Sequence, residues 1–184
     1  MRRIKAGAFV TLDGVVQDPG GFGELDAGGW ALAYFDEAAR DRSTEALLGS
    51  GTMLLGRETF EVIEKAWSGN TGPYAEAMHA IPKLVVSRTL RDPLPWNATA
   101  LTGEAALTVA ELKRGEGGDI IIYGSFALLR TLLREGLVDE LNLGVHPLVV
   151  GEGKRFLDGA LPLGLRFVSA TPGATGVVTL TYAR

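Results

Sequence analysis

Two short segments of the sequence join a buried strand to the start of a helix through a glycine. They span residues 54–59, with Gly56 and Arg57, and residues 122–126, with Gly124. Glycine lets a ligand approach the backbone closely, and a helix N-terminus presents unpaired N–H groups and the positive end of the helix dipole. The Arg57 guanidinium can hold a phosphate through two hydrogen bonds. Each segment therefore predicts a phosphate cradle, and together they can hold a dinucleotide.

A third segment, Ser87-Arg88, follows another apolar strand. Ligands of open α/β sheets bind beyond the carboxyl ends of the strands, where all three segments are expected. Taken singly, each is more simply explained as an ordinary strand–helix junction. Three junctions with arginine at two of them favour an anionic ligand. The standard signatures are absent, because no G-x-G-x-x-G follows a strand and Gly153-Lys154 lacks the other residues of a P-loop.

Strands and helices must alternate along the chain to position these residues. Periodicity and glycine or proline breaks predict a helix over 31–48 and another over 105–113. The pattern then ends in strands, the last two as an antiparallel pair. This order predicts one α/β domain over residues 1–184, a three-layer sandwich with a mostly parallel central sheet and antiparallel C-terminal strands. The predicted strands are 4–12, 52–55, 83–87, 99–101, 119–123, 139–145, 167–170 and 177–182.

Composition excludes several other classes of site. The chain has no cysteine, so disulfides, thiol nucleophiles and cysteine-ligated metals are ruled out, and we expect no metal site. The net charge of −4 argues against nucleic acid and anionic membranes as partners. No continuous apolar stretch resembles a signal peptide or a membrane span, which predicts a cytoplasmic protein. His79 and His146 lie far apart in sequence and are interpreted as structural residues.

Glycine is the unusual feature of the composition, at 25 of 184 residues. Six of these glycines fall within residues 14–30, a segment too long for an ordinary connection. Long loops of this kind are often functional. We therefore predict a mobile lid over the site.

Six motifs, in this order and spacing, resemble the dihydrofolate-reductase-like superfamily. The closer resemblance is to its bacterial branch similar to the C-terminal reductase domain of riboflavin biosynthesis, and it runs from Ile4 to Tyr182. The motifs are Thr11-Leu12-Asp13-Gly14, Leu55-Gly56-Arg57-Glu58-Thr59-Phe60-Glu61, Val85-Val86-Ser87-Arg88, Ile121-Ile122-Tyr123-Gly124-Ser125, Val138-Asp139-Glu140-Leu141 and Pro147-Leu148-Val149-Val150-Gly151-Glu152-Gly153-Lys154-Arg155-Phe156.

The resemblance implies that NADPH lies across the carboxyl edge of the sheet. Ser87 and Arg88 would then face the adenosine 2′-phosphate, and residues of the first strand and its loop would border the nicotinamide. The resemblance also implies a homodimer formed through the C-terminal strands, where Leu141, Leu143 and Val145 belong either to the seam or to the core. The full set of implied cofactor-binding residues is Phe9, Val16, Gly56, Arg57, Thr59, Ser87, Arg88, Gly124, Ser125 and Phe126.

On the substrate side, the resemblance points to a carboxylate on the first helix. Asp36 is the first candidate for this catalytic and substrate-binding role and Glu37 the second, although a solvent-exposed Asp36 fits the sequence nearly as well. Asp13 is interpreted as a turn cap beside Gly14. Trp30, Tyr34, Phe35 and Trp67 are candidates for stacking on a flat heterocycle, or else for packing.

These features predict an NADPH-dependent reductase that transfers hydride to a C=N or C=O bond of a pterin or a phosphoribosylamino-pyrimidine. An activity like that of 5-amino-6-(5-phosphoribosylamino)uracil reductase falls within this class. The bifunctional riboflavin enzyme is excluded, because its zinc deaminase domain requires cysteines. The alternatives are a non-catalytic nucleotide-binding protein and a protein that sequesters flavin or folate.

Overall fold

All eight strands of the computed structural model, which describes residues 1–156, 158–159 and 162–184, join one sheet. The strand order is β4-β3-β2-β5-β1-β6-β8-β7. The strands are β1 Ile4–Thr11, β2 Thr52–Gly56, β3 Lys83–Val86, β4 Ala98–Leu101, β5 Ile120–Tyr123, β6 Glu140–His146, β7 Arg166–Pro172 and β8 Val178–Ala183. The helices are α1 Glu37–Leu48, α2 Arg57–Trp67, α3 Pro73–Ala80, α4 Ala105–Arg114 and α5 Phe126–Arg134.

The sheet is parallel from β4 to β6, and β8 pairs antiparallel with both β6 and β7. The predicted fold class is confirmed. The central strands read as continuous apolar runs because helices cover both of their faces. None of the described helices is long and apolar enough to cross a membrane.

Two apolar clusters lie on opposite faces of the sheet. One packs α5 and α4 against β1, β5 and β6, and the other packs α1, α2 and α3 against β2, β3 and β5. Leu141 is buried in the first cluster, with Leu143 and Val145 packed against it. Leu141 therefore belongs to the core, while Leu143 and Val145 are only partly buried and their place in a subunit seam stays a prediction.

The predicted helix over 31–48 is wrong at its N-terminal end. A short 3-10 turn occupies Leu32–Tyr34, and α1 begins only at Glu37. Asp36 is the N-cap residue, and its carboxylate accepts a hydrogen bond from the backbone N–H of Ala39 at 2.8 Å. Aspartate is a strongly preferred N-cap because it satisfies an N–H that has no partner within the helix. Helix α1 therefore starts later than the apolar periodicity predicted.

The glycine-rich loop over 14–30 is organised around Asp18, which is buried. The Asp18 carboxylate accepts hydrogen bonds from the backbone N–H groups of Phe22, Glu24 and Leu25, and its carbonyl accepts one from Gly29. Glycines with positive φ let the chain turn around this carboxylate. The loop is thus closed by its own hydrogen bonds. Its predicted motion as a lid stays a prediction.

Hydrogen bonds join two of the motifs quoted above, residues 11–14 and residues 147–156. The Asp13 carboxylate accepts hydrogen bonds from Thr11 Oγ1 at 2.6 Å, from the Gly151 N–H at 2.8 Å and from the Val150 N–H at 3.2 Å. Arg155 Nη1 donates to the Asp13 carbonyl at 2.7 Å. These hydrogen bonds, with that of Thr11 foremost, lower the pKa of Asp13 to about 2. Asp13 therefore has a structural role, as its position beside Gly14 suggested.

Candidate functional site

A cavity of about 1590 Å³ lies along the carboxyl edge of the sheet. Residues from the ends of β1, β2, β3 and β5 line it, together with the starts of α2, α4 and α5. The structure brings all ten predicted cofactor residues to this one cavity: Phe9, Val16, Gly56, Arg57, Thr59, Ser87, Arg88, Gly124, Ser125 and Phe126. Tyr34, predicted on the substrate side, lines it as well.

Two hydrogen bonds join the starts of α2 and α5. The Gly56 N–H donates to Ser125 Oγ at 2.8 Å, and Thr59 Oγ1 donates to the Gly124 carbonyl at 3.3 Å. The two segments predicted as separate cradles are therefore parts of one structure. Ser125 Oγ accepts from Gly56 and keeps its own hydrogen free to donate to a ligand.

The N-termini of α2 and α5 carry no side-chain cap. Those of α1 and α4 are capped by carboxylates, at α4 by Glu104, which accepts from the N–H groups of Ala106 and Leu107. Helix α3 is also uncapped, but its N-cap residue Gly72 does not line the cavity. At α5 the Phe126 N–H donates to the Gly124 carbonyl at 3.0 Å, and the other first-turn N–H groups that face the cavity at α2 and α5 are available to an anion.

The cationic and hydroxyl groups predicted to bind phosphate are only partly free. Arg57 pairs with Glu61 at 3.1 Å and approaches Glu58 at 3.5 Å. Arg88 is exposed and forms no ion pair with the residues that the structure describes. Ser87 Oγ accepts hydrogen bonds from the backbone N–H groups of Thr89 and Leu90. Ser87 therefore shapes the turn that carries Arg88, and its direct contact with a phosphate stays a prediction.

Aromatic rings wall the other end of the cavity. The Phe9 ring lies edge-on to Phe35 at 5.9 Å and to His146 at 5.3 Å between centroids. Tyr34 also meets His146 edge-on, at 5.6 Å. Trp67 extends this wall through Tyr74. The aromatic wall provides an apolar and planar surface on which a flat heterocycle can stack.

Two residues predicted on the substrate side do not reach the cavity. Trp30 is buried behind the wall, where its Nε1 donates to the Gln17 carbonyl at 2.8 Å and its ring packs on His146. Asp36 also does not line the cavity, because its carboxylate caps α1. The structure thus removes the predicted carboxylate from the substrate end, and Glu37 is likewise outside the lining.

The lining includes residues that were not predicted, among them Tyr74, Tyr123 and His146. His146 is 3% exposed, and its Nδ1 lies 2.9 Å from the Gly144 carbonyl. Burial lowers the pKa of this imidazole, so its structural interpretation stands although it forms part of the wall. Tyr123 directly precedes Gly124 in a quoted motif, and that position was the available signal. Tyr74 had no comparable signal, since α3 reaches the cavity only through tertiary packing.

The mostly parallel sheet, its antiparallel C-terminal strands and the linked helix starts over a carboxyl-edge cavity define a three-layer α/β protein of the dihydrofolate-reductase-like class. Comparison with known families gives the narrower assignment. The model of the RibD C-terminal domain matches residues 2–179. The chain belongs to this family.

Individual proteins agree with this assignment. The uncharacterized protein YyaP of Bacillus subtilis is 33% identical over 187 residues, which cover 98% of this chain and 94% of YyaP. A dihydrofolate reductase from Enterococcus faecalis, complexed with NADP(H) and RAB-propyl, is similar in structure with a TM-score of 0.61 at 18% identity, over 99% of this chain and 96% of that one.

The deaminase/5-amino-6-(5-phosphoribosylamino)uracil reductase of Thermotoga maritima gives a TM-score of 0.69 at 12% identity. The match covers 99% of this chain and 56% of the Thermotoga protein. At these identities the structural likeness shows the fold, which is one that reductases use.

Proposed function

We propose that this chain is an NADPH-dependent reductase that transfers hydride to a C=N or C=O bond of a small heterocyclic substrate, of the pterin or phosphoribosylamino-pyrimidine type. One observation carries the proposal. Two uncapped helix N-termini, joined by Gly56 and Ser125, face a cavity whose other end is an aromatic wall. Uncapped helix N-termini can bind the diphosphate of a dinucleotide, and an aromatic wall can hold a flat acceptor.

The residues at the helix starts fit a dinucleotide diphosphate. Gly124 has φ +68°, and a Cβ built on it would lie 3.2 Å from Thr59 Cγ2. The backbone there is open only because residue 124 has no side chain. N–H groups of the first turns of α2 and α5, with the free hydrogen of the Ser125 hydroxyl, would hold the phosphate oxygens.

Preference for NADPH over NADH would come from Arg88. Its guanidinium is exposed at the end of β3, beside the cavity, and is not engaged by another described side chain. A free guanidinium can form two charge-assisted hydrogen bonds to a 2′-phosphate. Arg57 would contribute less, because it must first leave Glu61.

The bound nicotinamide would supply the hydride. The protein orients the acceptor and excludes water. Phe9 is well placed for this role, since its ring is 38% exposed at the cavity and is fixed by Phe35 and His146. Val16 borders the same region. The names of the Enterococcus and Thermotoga proteins, one bound to NADP(H) and one a reductase, support this reaction class.

Calorimetric titration with NADPH and with NADH tests the cofactor, and NADPH oxidation in the presence of pterins and pyrimidines tests the reaction. We expect NADPH to bind more tightly than NADH. Failure to bind either nucleotide would contradict the proposal. NADPH binding without turnover on the whole panel would favour the non-catalytic nucleotide-binding alternative, and tight binding of flavin or folate alone would favour a sequestering protein.

The C-terminal edge of the sheet supports a homodimer. Strand β7 pairs on one side only, and its Phe167 and Val168 are exposed hydrophobic side chains. An exposed edge strand with apolar side chains is a ready surface for pairing with a second copy. Light scattering after size-exclusion chromatography should give twice the monomer mass, and Val168→Lys should give the monomer. A wild-type monomer would contradict this assembly.

A further inference from the structure

Two tyrosines outside the proposed cofactor cradle border the same part of the cavity. Tyr123 is the last residue of β5, and Tyr74 lies in the first turn of α3. The Tyr123 ring lies over Gly7, where an added Cβ would overlap the ring. The Tyr74 ring is held edge-on by Trp67 at 5.0 Å and by Phe35 at 6.3 Å. Both rings are therefore fixed by packing.

The hydroxyl groups of both tyrosines are available to a ligand. Neither forms a hydrogen bond with any residue in the described ranges, and no side-chain polar atom there is sealed from solvent without a partner. The two hydroxyls must therefore reach open space, which here is the cavity. Burial raises the pKa of Tyr74 to about 12 and also raises that of Tyr123, which the charge of Tyr74 raises further. Both phenols stay protonated at neutral pH and can donate hydrogen bonds.

Apolar side chains form much of the remaining wall here, and Lys5, which pairs with Ile121 in the sheet, lines the cavity as well. Met53, Met78 and Ile121 line it beside the two tyrosines. Ligand sites of small molecules combine apolar walls with a few placed polar groups, and those groups fix the orientation of the ligand. Asp36 does not supply such a group, because it caps α1. Lys5 is paired with Asp119 at 2.7 Å and Asn142 donates to Glu140, so the two phenol hydroxyls are the groups here that have no partner among the described residues.

We propose that Tyr74 and Tyr123 determine substrate specificity by donating hydrogen bonds to the carbonyl oxygens of an uncharged heterocycle. This inference rests on the proposed function, since it concerns the substrate of that same site. A carboxylate would select amino groups and protonated rings. Neutral phenols can instead donate to carbonyl oxygens, and a ligand without those carbonyls leaves the hydroxyl hydrogens without that acceptor.

Calorimetric titration with two pteridines tests this specificity. Lumazine (2,4-dioxopteridine) has carbonyl acceptors where 2,4-diaminopteridine has amino donors. We expect the wild-type protein to bind lumazine the more tightly. Tyr74→Phe and Tyr123→Phe should each weaken lumazine binding about fivefold, the effect of one neutral hydrogen bond. Their binding of 2,4-diaminopteridine should not weaken.

Phenylalanine preserves the packing of each ring, and thermal unfolding checks that both variants fold. Tyr182→Phe is the matched control, because Tyr182 packs on Phe167 in the C-terminal strands and does not line the cavity. Wild-type preference for 2,4-diaminopteridine, or unchanged lumazine affinity in both variants, would overturn the inference.

Each titration is run with and without saturating NADPH, and NADPH binding is measured on the same samples. Loss of the lumazine effect while NADPH still binds contradicts only the role of the tyrosines. Absence of NADPH binding, with the lumazine effect intact, contradicts only the proposed cofactor. The two proposals can therefore fail separately.

Discussion

The two ends of the cavity are built in different ways. The cradle end consists mainly of backbone, at the starts of α2 and α5, which Gly56 and Ser125 join. The aromatic end consists of side chains from β1, α3, β6 and the segment before α1. The first depends on local chain geometry and the second on tertiary packing. Substitutions should therefore affect cofactor binding and heterocycle binding separately, and four changes test how complete that separation is.

The largest effect is expected at Gly124. Gly124→Leu would fill the cradle, because a Cβ there already lies 3.2 Å from Thr59 Cγ2. We expect NADPH affinity to fall on the order of 100-fold, or about 2.7 kcal/mol, while lumazine affinity in the absence of NADPH stays unchanged. Titration calorimetry measures both affinities.

Gly117→Leu controls for backbone strain. Gly117 also has a positive φ, at +125°, but it lies outside the cavity and its Cβ would meet nothing closer than 3.4 Å. Both variants should lose about 1–2 kcal/mol of stability through the unfavourable φ, and only Gly124→Leu should lose NADPH. Equal loss of NADPH binding in both variants would remove the cradle from the proposed function.

The next effect is expected at the substrate end. Asp18→Ala removes the buried carboxylate that holds three backbone N–H groups of the 14–30 loop. Hydrogen bonds to a charged group contribute about 1.5–3 kcal/mol, so we expect a loss of stability of roughly that size in urea unfolding. Heterocycle binding should weaken, because the loop borders that end of the cavity. Asp26→Ala, in the same loop, is the control. Intact heterocycle binding in Asp18→Ala would show that the loop does not shape the substrate end.

The sequence predicted the residues of the cradle end better than those of the aromatic end. Gly56 and Gly124 were predictable because a strand, a glycine and a helix start are consecutive in the chain, and Arg88 because it follows a strand; the structure brings all three to one cavity. Trp30 was assigned to the cavity from residue type, and Asp36 from a resemblance that implies a carboxylate on the first helix. Whether an aromatic ring faces a cavity or the core depends on packing, and whether a carboxylate is free depends on the nearest unpaired N–H group. Those facts are tertiary, and local pattern does not contain them.

In the fold, too, the features set by local sequence were predictable and those set by tertiary packing were not. The order of strands and helices was visible in the apolar periodicity, including the antiparallel pair at the C-terminus. The start of α1 was missed because Asp36 caps the helix. Leu141 and its neighbours on β6 had two interpretations, since alternation alone fits both a core face and a seam. The structure buries Leu141 in the core and leaves Leu143 and Val145 partly buried, so the seam stays a prediction.

Substitution of either of two arginines at the cradle end should have a smaller effect on nucleotide affinity. The pair of variants distinguishes the contributions of Arg57 and Arg88. Arg88→Ala should lower NADPH affinity about tenfold and leave NADH affinity unchanged, because it removes a charge-assisted contact to the 2′-phosphate. Arg57→Ala should change either affinity about twofold at most, since Arg57 is already paired with Glu61. Competition binding with both nucleotides measures this. A larger loss in Arg57→Ala than in Arg88→Ala would reverse the assignment of the two residues.

The smallest effect, on stability at low pH, concerns the hydrogen bonds that join Asp13 to the 147–156 segment. The pKa of Asp13 is lowered from 3.8 to about 2 in the folded protein, because Thr11 and the N–H groups of Gly151 and Val150 stabilise the carboxylate. The unfolded chain therefore takes up this proton first as pH falls. The stabilisation is complete above pH 3.8 and is lost between pH 3.8 and about 2.

Asp13→Asn should remove that pH-dependent contribution, so its unfolding free energy should fall less steeply than that of the wild type below about pH 4. Urea unfolding across this range measures the slopes. Asp41→Asn, on the exposed face of α1, is the control and should retain the wild-type slope. Identical slopes for Asp13→Asn and the wild type would show that the Asp13 carboxylate does not contribute to the pH dependence of unfolding in this range.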